Sequence, residues 1–188
     1  MRPPFYLPYV AGILIAALTS PRAMDGPEDG DAVTVEPKFV PCLWFADQAE
    51  EAIRFYGSIF SGVEVLDDLR TGPDGSLIFA SFRLAGQEFI AVNGNDGESF
   101  TDAVSIVVRC DSQGEIDELW RKLTADGGRP GRCGWLKDRY GVSWQIVPRR
   151  LCDLLGDPDP ARAKRVADAL RQMEKVDIAE LERAGEGR

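Results

Sequence analysis

Apolar positions along this chain follow two spacings, and the order of those spacings predicts the elements of its first half. Short apolar runs rich in branched and aromatic residues are typical of strands, whereas apolar residues three and four positions apart are typical of one helix face. Predicted strands cover 39–45, 63–69, 77–84 and 88–92, and the helix predicted after the first strand covers 48–60. Gly72-Pro-Asp-Gly75 is a turn signal between two of the strands. This half is therefore predicted to be a βαβββ unit.

The helix predicted at 48–60 has both a start signal and an apolar face. Asp47 with Glu50 three positions later is a capping-box pattern, in which side chains satisfy the first backbone N–H groups of a helix. The apolar residues at helical spacing are Ala49, Ala52, Ile53, Tyr56, Ile59 and Phe60. Gly62 follows the last of them. We expect Asp47 to cap this helix and its apolar face to pack against the strands.

The same order begins again at an offset of 64 positions. Three pairs of residues share this offset: Asp47 with Asp111, Phe55 with Leu119, and Tyr56 with Trp120. A strand is predicted at 103–110, and Ser112 with Glu115 is the capping-box pattern of a helix at 113–126. An internal repeat indicates two copies of one structural unit. We predict βαβββ units at about 38–95 and 103–148.

The stretch Cys133–Pro148 ends the second unit with a turn and a strand. Asp138-Arg-Tyr-Gly141 is a turn signal, because glycine adopts left-handed backbone conformations without strain. The last strand is predicted at 142–147, and Pro148 ends it. Side chains alternate between the two faces of a strand. Ser143, Gln145 and Val147 are therefore expected on one face, with Trp144 and Ile146 on the other.

Cys133–Pro148 and several earlier pieces resemble the vicinal-oxygen-chelate superfamily, the group of glyoxalases, bleomycin-resistance proteins and extradiol dioxygenases. The pieces follow the family's order: Pro41-Cys-Leu-Trp-Phe45, Gln48-Ala-Glu-Glu-Ala52, Phe55-Tyr56, Ile59-Phe60, Leu84-Ala-Gly-Gln-Glu-Phe89, Asn93-Gly94 and Cys133–Pro148. The chain resembles specifically the PhnB-like branch, also labelled the 3-demethylubiquinone 3-methyltransferase domain family, over about residues 38–148. The resemblance implies an α+β fold in which paired βαβββ units form a glyoxalase-like cup, with C-terminal helices.

The chain is predicted to have three regions. They are an N-terminal apolar segment and linker at 1–36, a glyoxalase-like domain at 37–156 and a C-terminal helical extension at 157–188. The apolar run at 7–18 has the outline of a secretory signal peptide, although Pro8 interrupts it, and it is too short to span a membrane. Met24 is an alternative start. We expect a cytoplasmic protein, or an exported one if residues 1–23 are a real signal.

The extension carries helix signals and an apolar stripe. Asp159-Pro160 supplies an N-cap and a proline for the first turn, and Asp177 with Glu180 is the capping pattern of a last helix. The stripe consists of Val166, Leu170 and Met173. A stripe on a terminal helix usually packs on its own domain. Together with the resemblance, it is also the basis for predicting a homodimer.

The net charge and the cysteine spacing limit the kinds of partner and metal site that the chain is expected to have. A net charge of −9 opposes binding to phosphate backbones, so no nucleic-acid partner is predicted, and no membrane partner is predicted for the folded domain. Cys42, Cys110, Cys133 and Cys152 form no C-x-x-C pair. This spacing argues against a zinc knuckle and favours free thiols. With 188 residues, the chain is long enough to bury one ordinary core.

The resemblance also raises the question of a metal. Metal-dependent members of the superfamily hold a divalent ion with His, Gln and Glu side chains, whereas this chain contains no histidine. By the resemblance, the closing-strand glutamate falls on Gln145 and the first-strand histidine near Val40 or Cys42. One amide supplies no charge to offset dehydration of a hard cation, so we predict no metal site. No cofactor is predicted either, because no Gly-x-Gly turn suited to a methyltransferase cofactor follows a predicted strand.

A wall of aromatic rings with a few polar groups has the composition of a small-molecule site. The predicted ligand-binding residues are Trp44, Asn93, Cys133, Trp135 and Gln145. Arg132 and Lys137 stand near Cys133 and are expected to favour its thiolate. A papain-type nucleophile is excluded because the chain has no histidine base, and no catalytic residue is assigned.

Three functions stay open at this point. The first is metal-free binding of an unknown small molecule by a PhnB-like protein. The second is an enzyme, either of the glyoxalase or dioxygenase type or the methyltransferase that the family label implies. The third is a domain whose dimer surface is its function. The lack of histidine and of a Gly-rich turn favours the first over the second, and nothing in the sequence separates the first from the third.

Overall fold

The computed structural model describes residues 39–71, 74–94 and 97–188. The predictions for residues 1–36, and part of the turn predicted at 72–75, lie outside the described residues. Residues 39–100 belong to one compact unit and 101–188 to a second. Within the described ranges, no helix combines the length and the apolar character needed to cross a membrane.

The first unit is a four-stranded sheet with one helix. Its elements are β1 (Cys42–Trp44), α1 (Ala49–Ile59), β2 (Glu64–Thr71), β3 (Ser76–Leu84) and β4 (Gln87–Val92). The strand order is β1-β4-β3-β2, with β1 parallel to β4 and the other neighbours antiparallel. Ala52, Ile53 and Tyr56 of α1 are buried, as the apolar face predicted. One sheet face, which includes Phe82 and Phe89, is buried as well.

The start of α1 differs from the prediction. The residue that precedes its first turn is Gln48, and neither Gln48 nor Asp47 caps the helix through its side chain. Instead, the Asn93 side chain reaches the helix from the end of β4. Its Oδ1 accepts a hydrogen bond from the Ala49 N–H at 2.9 Å, and its Nδ2 donates to the Leu77 carbonyl at 3.0 Å. The prediction of an Asp47 cap is wrong, because a residue distant in sequence satisfies the N–H group that Asp47 was expected to serve.

The second unit repeats the order and adds helices. Its elements are β5 (Ile106–Cys110), α2 (Gln113–Leu123), β6 (Arg129–Pro130), β7 (Trp135–Lys137), β8 (Ser143–Pro148), α3 (Leu151–Leu155), α4 (Pro160–Gln172) and α5 (Ile178–Glu186). The strand order is β5-β8-β7-β6, with β5 parallel to β8. The predicted caps Ser112, Asp159 and Asp177 all accept hydrogen bonds from backbone N–H groups in the first turns of their helices. The βαβββ prediction for 103–148 included two strands between α2 and β8, but it gave no bounds for them, and the structure places them at β6 and β7.

The predicted fold class is confirmed: each unit is βαβββ, each sheet has four strands, and helices follow at the C-terminus. Those last helices bury their apolar residues within the second unit. The buried residues of this cluster are Leu151, Val166, Leu170, Met173, Val176 and Leu181. The stripe on α4 is therefore internal, as stripes on terminal helices usually are. The homodimer stays a prediction, and it now rests on the resemblance alone.

Candidate functional site

The sheet of the second unit has one face against helix α2 and one face turned the other way. Leu136, Trp144 and Ile146 are buried on the α2 side. Strand alternation and the strand register place a second set of side chains opposite them. We call this second side the Gln145 face, and its residues are Val107, Arg109, Trp135, Lys137, Ser143, Gln145 and Val147.

Gln145 occupies the middle of this face. In the strand register, Val107 of β5 lies on one side of it and Trp135 of β7 on the other. Val107 is 37% exposed, and both Trp135 and Gln145 are half-buried. The Gln145 Nε2 donates a hydrogen bond to the Ser105 Oγ at 2.8 Å, which orients the amide. Among the described residues no donor reaches its Oε1, so an acceptor flanked by apolar surface is left on this face.

An ion pair lies on the Ser143 side of the face. The Ser143 hydroxyl donates to the Asp102 Oδ1 at 2.8 Å, and the Lys137 Nζ lies 3.1 Å from the same oxygen. The hydrogen bond from Ser143, with a smaller contribution from Lys137, lowers the pKa of Asp102. The carboxylate form is therefore favoured, and the polar groups at this end of the face satisfy one another.

A buried carboxylate holds the β7–β8 hairpin in register. Asp138 is 2% exposed and accepts hydrogen bonds from the N–H groups of Tyr140 and Val142 at 2.9 and 3.0 Å. It also accepts one from the indole Nε1 of Trp144 at 2.9 Å. The turn was predicted from the sequence but these hydrogen bonds were not, although an aspartate at the start of a turn is a known signal for side-chain to backbone bonding.

Cys133 departs from the chemistry that was expected of it. Its side chain packs against the C-terminal apolar cluster. This burial raises the pKa of the thiol, and the nearby Arg132 and Arg171 only partly oppose the effect. Lys137 forms its ion pair with Asp102. The expectation of a favoured thiolate is wrong, because removal from water outweighs the neighbouring positive charges.

Trp44 and Asn93 belong to the first unit. Trp44 is 48% exposed on the face of β1 opposite the buried Leu43. Both polar ends of the Asn93 amide form the hydrogen bonds that hold the start of α1. Of the predicted ligand-binding residues, Trp135 and Gln145 are direct cross-strand neighbours. Ser105, whose hydroxyl orients Gln145, was not predicted as a site residue, because no local sequence pattern pairs residues 40 positions apart.

The donor groups do not fit the metal site of the metal-dependent superfamily members. Gln145 is a neutral donor that is already bonded to Ser105. Cys42, the candidate on the first strand, is an exposed thiol where the metal-dependent members have an imidazole, and partial removal from water raises its pKa. Among residues 39–71, 74–94 and 97–188, no three His, Cys, Asp or Glu side chains are placed to hold an ion.

The strand-to-helix connections do not fit a nucleotide-type methyl donor. Such a cofactor approaches a glycine-rich turn between a strand and a helix. The connection from β1 to α1 spans residues 45–48, and the connection from β5 to α2 spans residues 111–112. Neither contains glycine.

Two βαβββ units, each with its first and last strands paired in parallel, define a protein of the vicinal-oxygen-chelate superfamily and its PhnB-like branch. The family model described as 3-demethylubiquinone-9 3-methyltransferase matches residues 37–147. The chain belongs to this family.

Solved structures that are similar to this chain come from several bacteria. A PhnB protein from Bacillus cereus is 35% identical, with a TM-score of 0.54 over 58% of this chain and 98% of that one. Protein PA1353 from Pseudomonas aeruginosa is 20% identical, with a TM-score of 0.50 over 60% of this chain and 98% of that one. The fosfomycin resistance protein FosX from Listeria monocytogenes is 18% identical, with a TM-score of 0.42 over 60% and 92%. No curated protein matches the chain.

Proposed function

We propose that this protein binds a small, partly apolar molecule on the Gln145 face without the help of a metal ion. The observation that carries the proposal is the row Val107–Gln145–Trp135, in which an amide acceptor stands between an exposed aliphatic side chain and an indole ring. Apolar walls with a few oriented polar groups are what small-molecule sites require. Ser105 supplies the orientation, because its hydroxyl holds the Gln145 amide in one position.

The chemistry of the available donors supports a metal-free mode of binding. A hard divalent ion needs anionic oxygen ligands, and a softer one needs imidazole or thiolate groups. The chain has no histidine, and burial raises the pKa values of Cys42 and Cys133. The family label names a methyltransferase, and the glycine-free connections do not support that reaction.

The proposal is tested by native mass spectrometry, elemental analysis and metal titration of the purified full-length protein. We expect no stoichiometric zinc, nickel, iron or manganese, and no change in Tm on adding these ions, because a ligand of the native state must raise the Tm. A saturable rise in Tm at micromolar metal that is lost in Gln145→Ala would contradict the metal-free mode and favour the glyoxalase-type alternative. Gln87→Ala is the matched control, since Gln87 lies in the first unit and is exposed.

A further inference from the structure

We propose that the C-terminal segment, residues 149–188, closes one end of the Gln145 face and sets the length of the molecule that binds there. This inference rests on the proposed function. It adds the chemical class of the ligand: a hydrogen-bond donor head followed by a short apolar tail.

The first observation is the position of Val147. It lies on the Gln145 face two residues beyond Gln145 along β8, which is ~7 Å at the rise of a strand. Its side chain packs against the apolar cluster of the C-terminal segment. A ligand that extends from Gln145 towards Val147 therefore meets this segment.

The second observation is that the C-terminal segment lies close to the residues preceding β7 and is hydrogen-bonded to them through the main chain. The N–H groups of Cys133 and Gly134 donate to the carbonyls of Met173 and Glu174, each at 2.8 Å. A Cβ atom added to Gly134 would lie 3.0 Å from the Val176 Cγ2 and 3.3 Å from the Val147 Cγ1. There is no room for another side chain between the sheet and the segment at this point.

The third observation is that the segment is held in place from α2 as well. The Gln113 Nε2 donates to the Val176 carbonyl at 3.1 Å, and the Gln113 Oε1 accepts from the Ile178 N–H at 2.9 Å. Lys175 forms an ion pair with Asp117 at 2.5 Å. These bonds hold Val176 from both sides and fix the C-terminal segment at this end of the face. We call Val176 and the apolar cluster behind it the wall.

The segment also distinguishes this chain from the Bacillus cereus PhnB protein. The Bacillus cereus PhnB protein is covered over 98% of its length by only 58% of this chain, and the family model ends at residue 147. The wall therefore lies outside the part that the family shares, which is where a difference in ligand size would arise.

The chemistry of the face gives the polarity of the ligand. The Gln145 Oε1 is an acceptor, so the group bound there is a donor, such as a hydroxyl. The Ser143 side is polar, with Asp102 and Lys137 paired, whereas on the other side Val147 packs against the apolar cluster, with the exposed Arg109 as its cross-strand neighbour on β5. The tail of the ligand is accordingly directed at Val147 and the wall.

A series of primary alcohols from ethanol to 1-octanol tests the inference with the full-length protein. Binding is followed by NMR through the Trp135 indole N–H and the Gln145 side-chain amide, identified with Trp135→Phe and Gln145→Ala. Each added methylene is expected to tighten binding about fourfold until the tail reaches the wall, and then to add nothing. In Val176→Ala the gain should continue for about one or two further carbons, since the substitution removes two methyl groups from the wall.

Val166→Ala is the matched control. Both valines are at most 1% exposed, but Val166 packs against Gly185 of α5, whereas Val176 faces Gly134 and Val147. The chain-length limit should be unchanged in this control. If Val176→Ala does not fold, Met173→Ala replaces it, because Met173 belongs to the same cluster.

The outcomes separate the inference from the proposed function. A limit that is absent up to 1-octanol, unchanged in Val176→Ala, or shifted equally in Val166→Ala overturns the wall, while binding on the Gln145 face stands. If no alcohol perturbs Trp135 or Gln145, the proposed site fails, and the inference fails with it.

Discussion

Gly134 lies at the contact between strand β8 and the C-terminal segment, and its lack of a side chain has two separate reasons. Its φ angle is +84°, a left-handed conformation that costs other residues about 1–2 kcal/mol. In addition, a Cβ atom there would lie 2.7 Å from the Ile146 carbonyl oxygen. Gly141 has nearly the same φ angle, +86°, but has nothing within 4 Å of its added Cβ.

This pair of glycines yields a prediction. Gly141→Ala should lower the free energy of unfolding by about 1 kcal/mol through backbone strain alone. Gly134→Ala should lower it by about 3 kcal/mol or more, because the overlap with a backbone carbonyl adds to the strain. Urea unfolding of the two variants measures the difference. Equal losses would show that the backbone around Ile146 shifts easily to make room for the added Cβ atom.

Cys110 gives a pH dependence that belongs to a single residue. It is 1% exposed, and burial, with smaller contributions from Glu115 and Asp111, raises the pKa of its thiol from 9.0 to about 12. Between these values the unfolded chain has lost the proton and the folded chain keeps it, so stability falls as pH rises. The stabilisation is complete below pH 9.0 and is lost by about pH 12.

Between about pH 8 and pH 10, the unfolding free energy of the native sequence should therefore fall by roughly 1 kcal/mol more than that of Cys110→Ala. The cavity left by the substitution does not change with pH, and the other titrating groups are common to both proteins. Urea unfolding of both proteins at both pH values gives the loss of unfolding free energy in each, and the two losses are then compared. Parallel losses in the two proteins would contradict a raised thiol pKa.

At the scale of elements, helix α1 is capped by a residue distant in sequence and not by the residue that the local pattern predicts. The local capping pattern points to Asp47, yet the first N–H group of the helix donates to Asn93, 44 residues further along the chain. Asn93 sits at the end of β4, which pairs with β1 and so arrives beside the start of α1. Its two hydrogen bonds join the helix, β4 and the start of β3.

Asn93→Ala should accordingly destabilise the protein by about 2 kcal/mol, because a helix cap and a second half-buried hydrogen bond are lost together. Asp47→Ala should change stability by less than about 0.5 kcal/mol, as exposed substitutions without a special role do. Thermal unfolding of both variants decides between the two caps. A larger loss in Asp47→Ala would restore the local capping pattern.

At the scale of the whole molecule, the hydrogen bonds of both sheets and the C-terminal cluster are formed among residues 39–188. The homodimer and the cytoplasmic location remain predictions. The apolar cluster between the last helices of the second unit is built from residues of that unit.

We expect a chain that starts at Met24 to melt within about 4 °C of the full chain, which corresponds to roughly 1 kcal/mol for a domain of this size. The reason is that the strands, the helix caps and the C-terminal cluster are formed among residues 39–188. Differential scanning calorimetry of the two proteins makes the comparison. A larger drop in Tm would assign a structural role to residues 1–23.

The sequence by itself determined the order of the major elements, the repeat and the family, because each of these depends on spacing within about ten residues or on motifs in a given order. The caps Ser112, Asp159 and Asp177 were predictable for the same reason: each acts on a helix that begins at the next residue. The face shared by Ser143, Gln145 and Val147 also follows from alternation alone.

Only the tertiary structure decided what those residues touch. Ser105 orients Gln145 from 40 positions away, and Val176 is brought against Gly134 by bonds from a different helix. Cys133 and Lys137 are close in sequence, but burial of the thiol and the pairing of Lys137 with Asp102 separate their chemistry. Hydrogen bonds and desolvation depend on which groups lie close together in space. Packing of the folded chain decides this, and the local spacing of residues in the sequence does not.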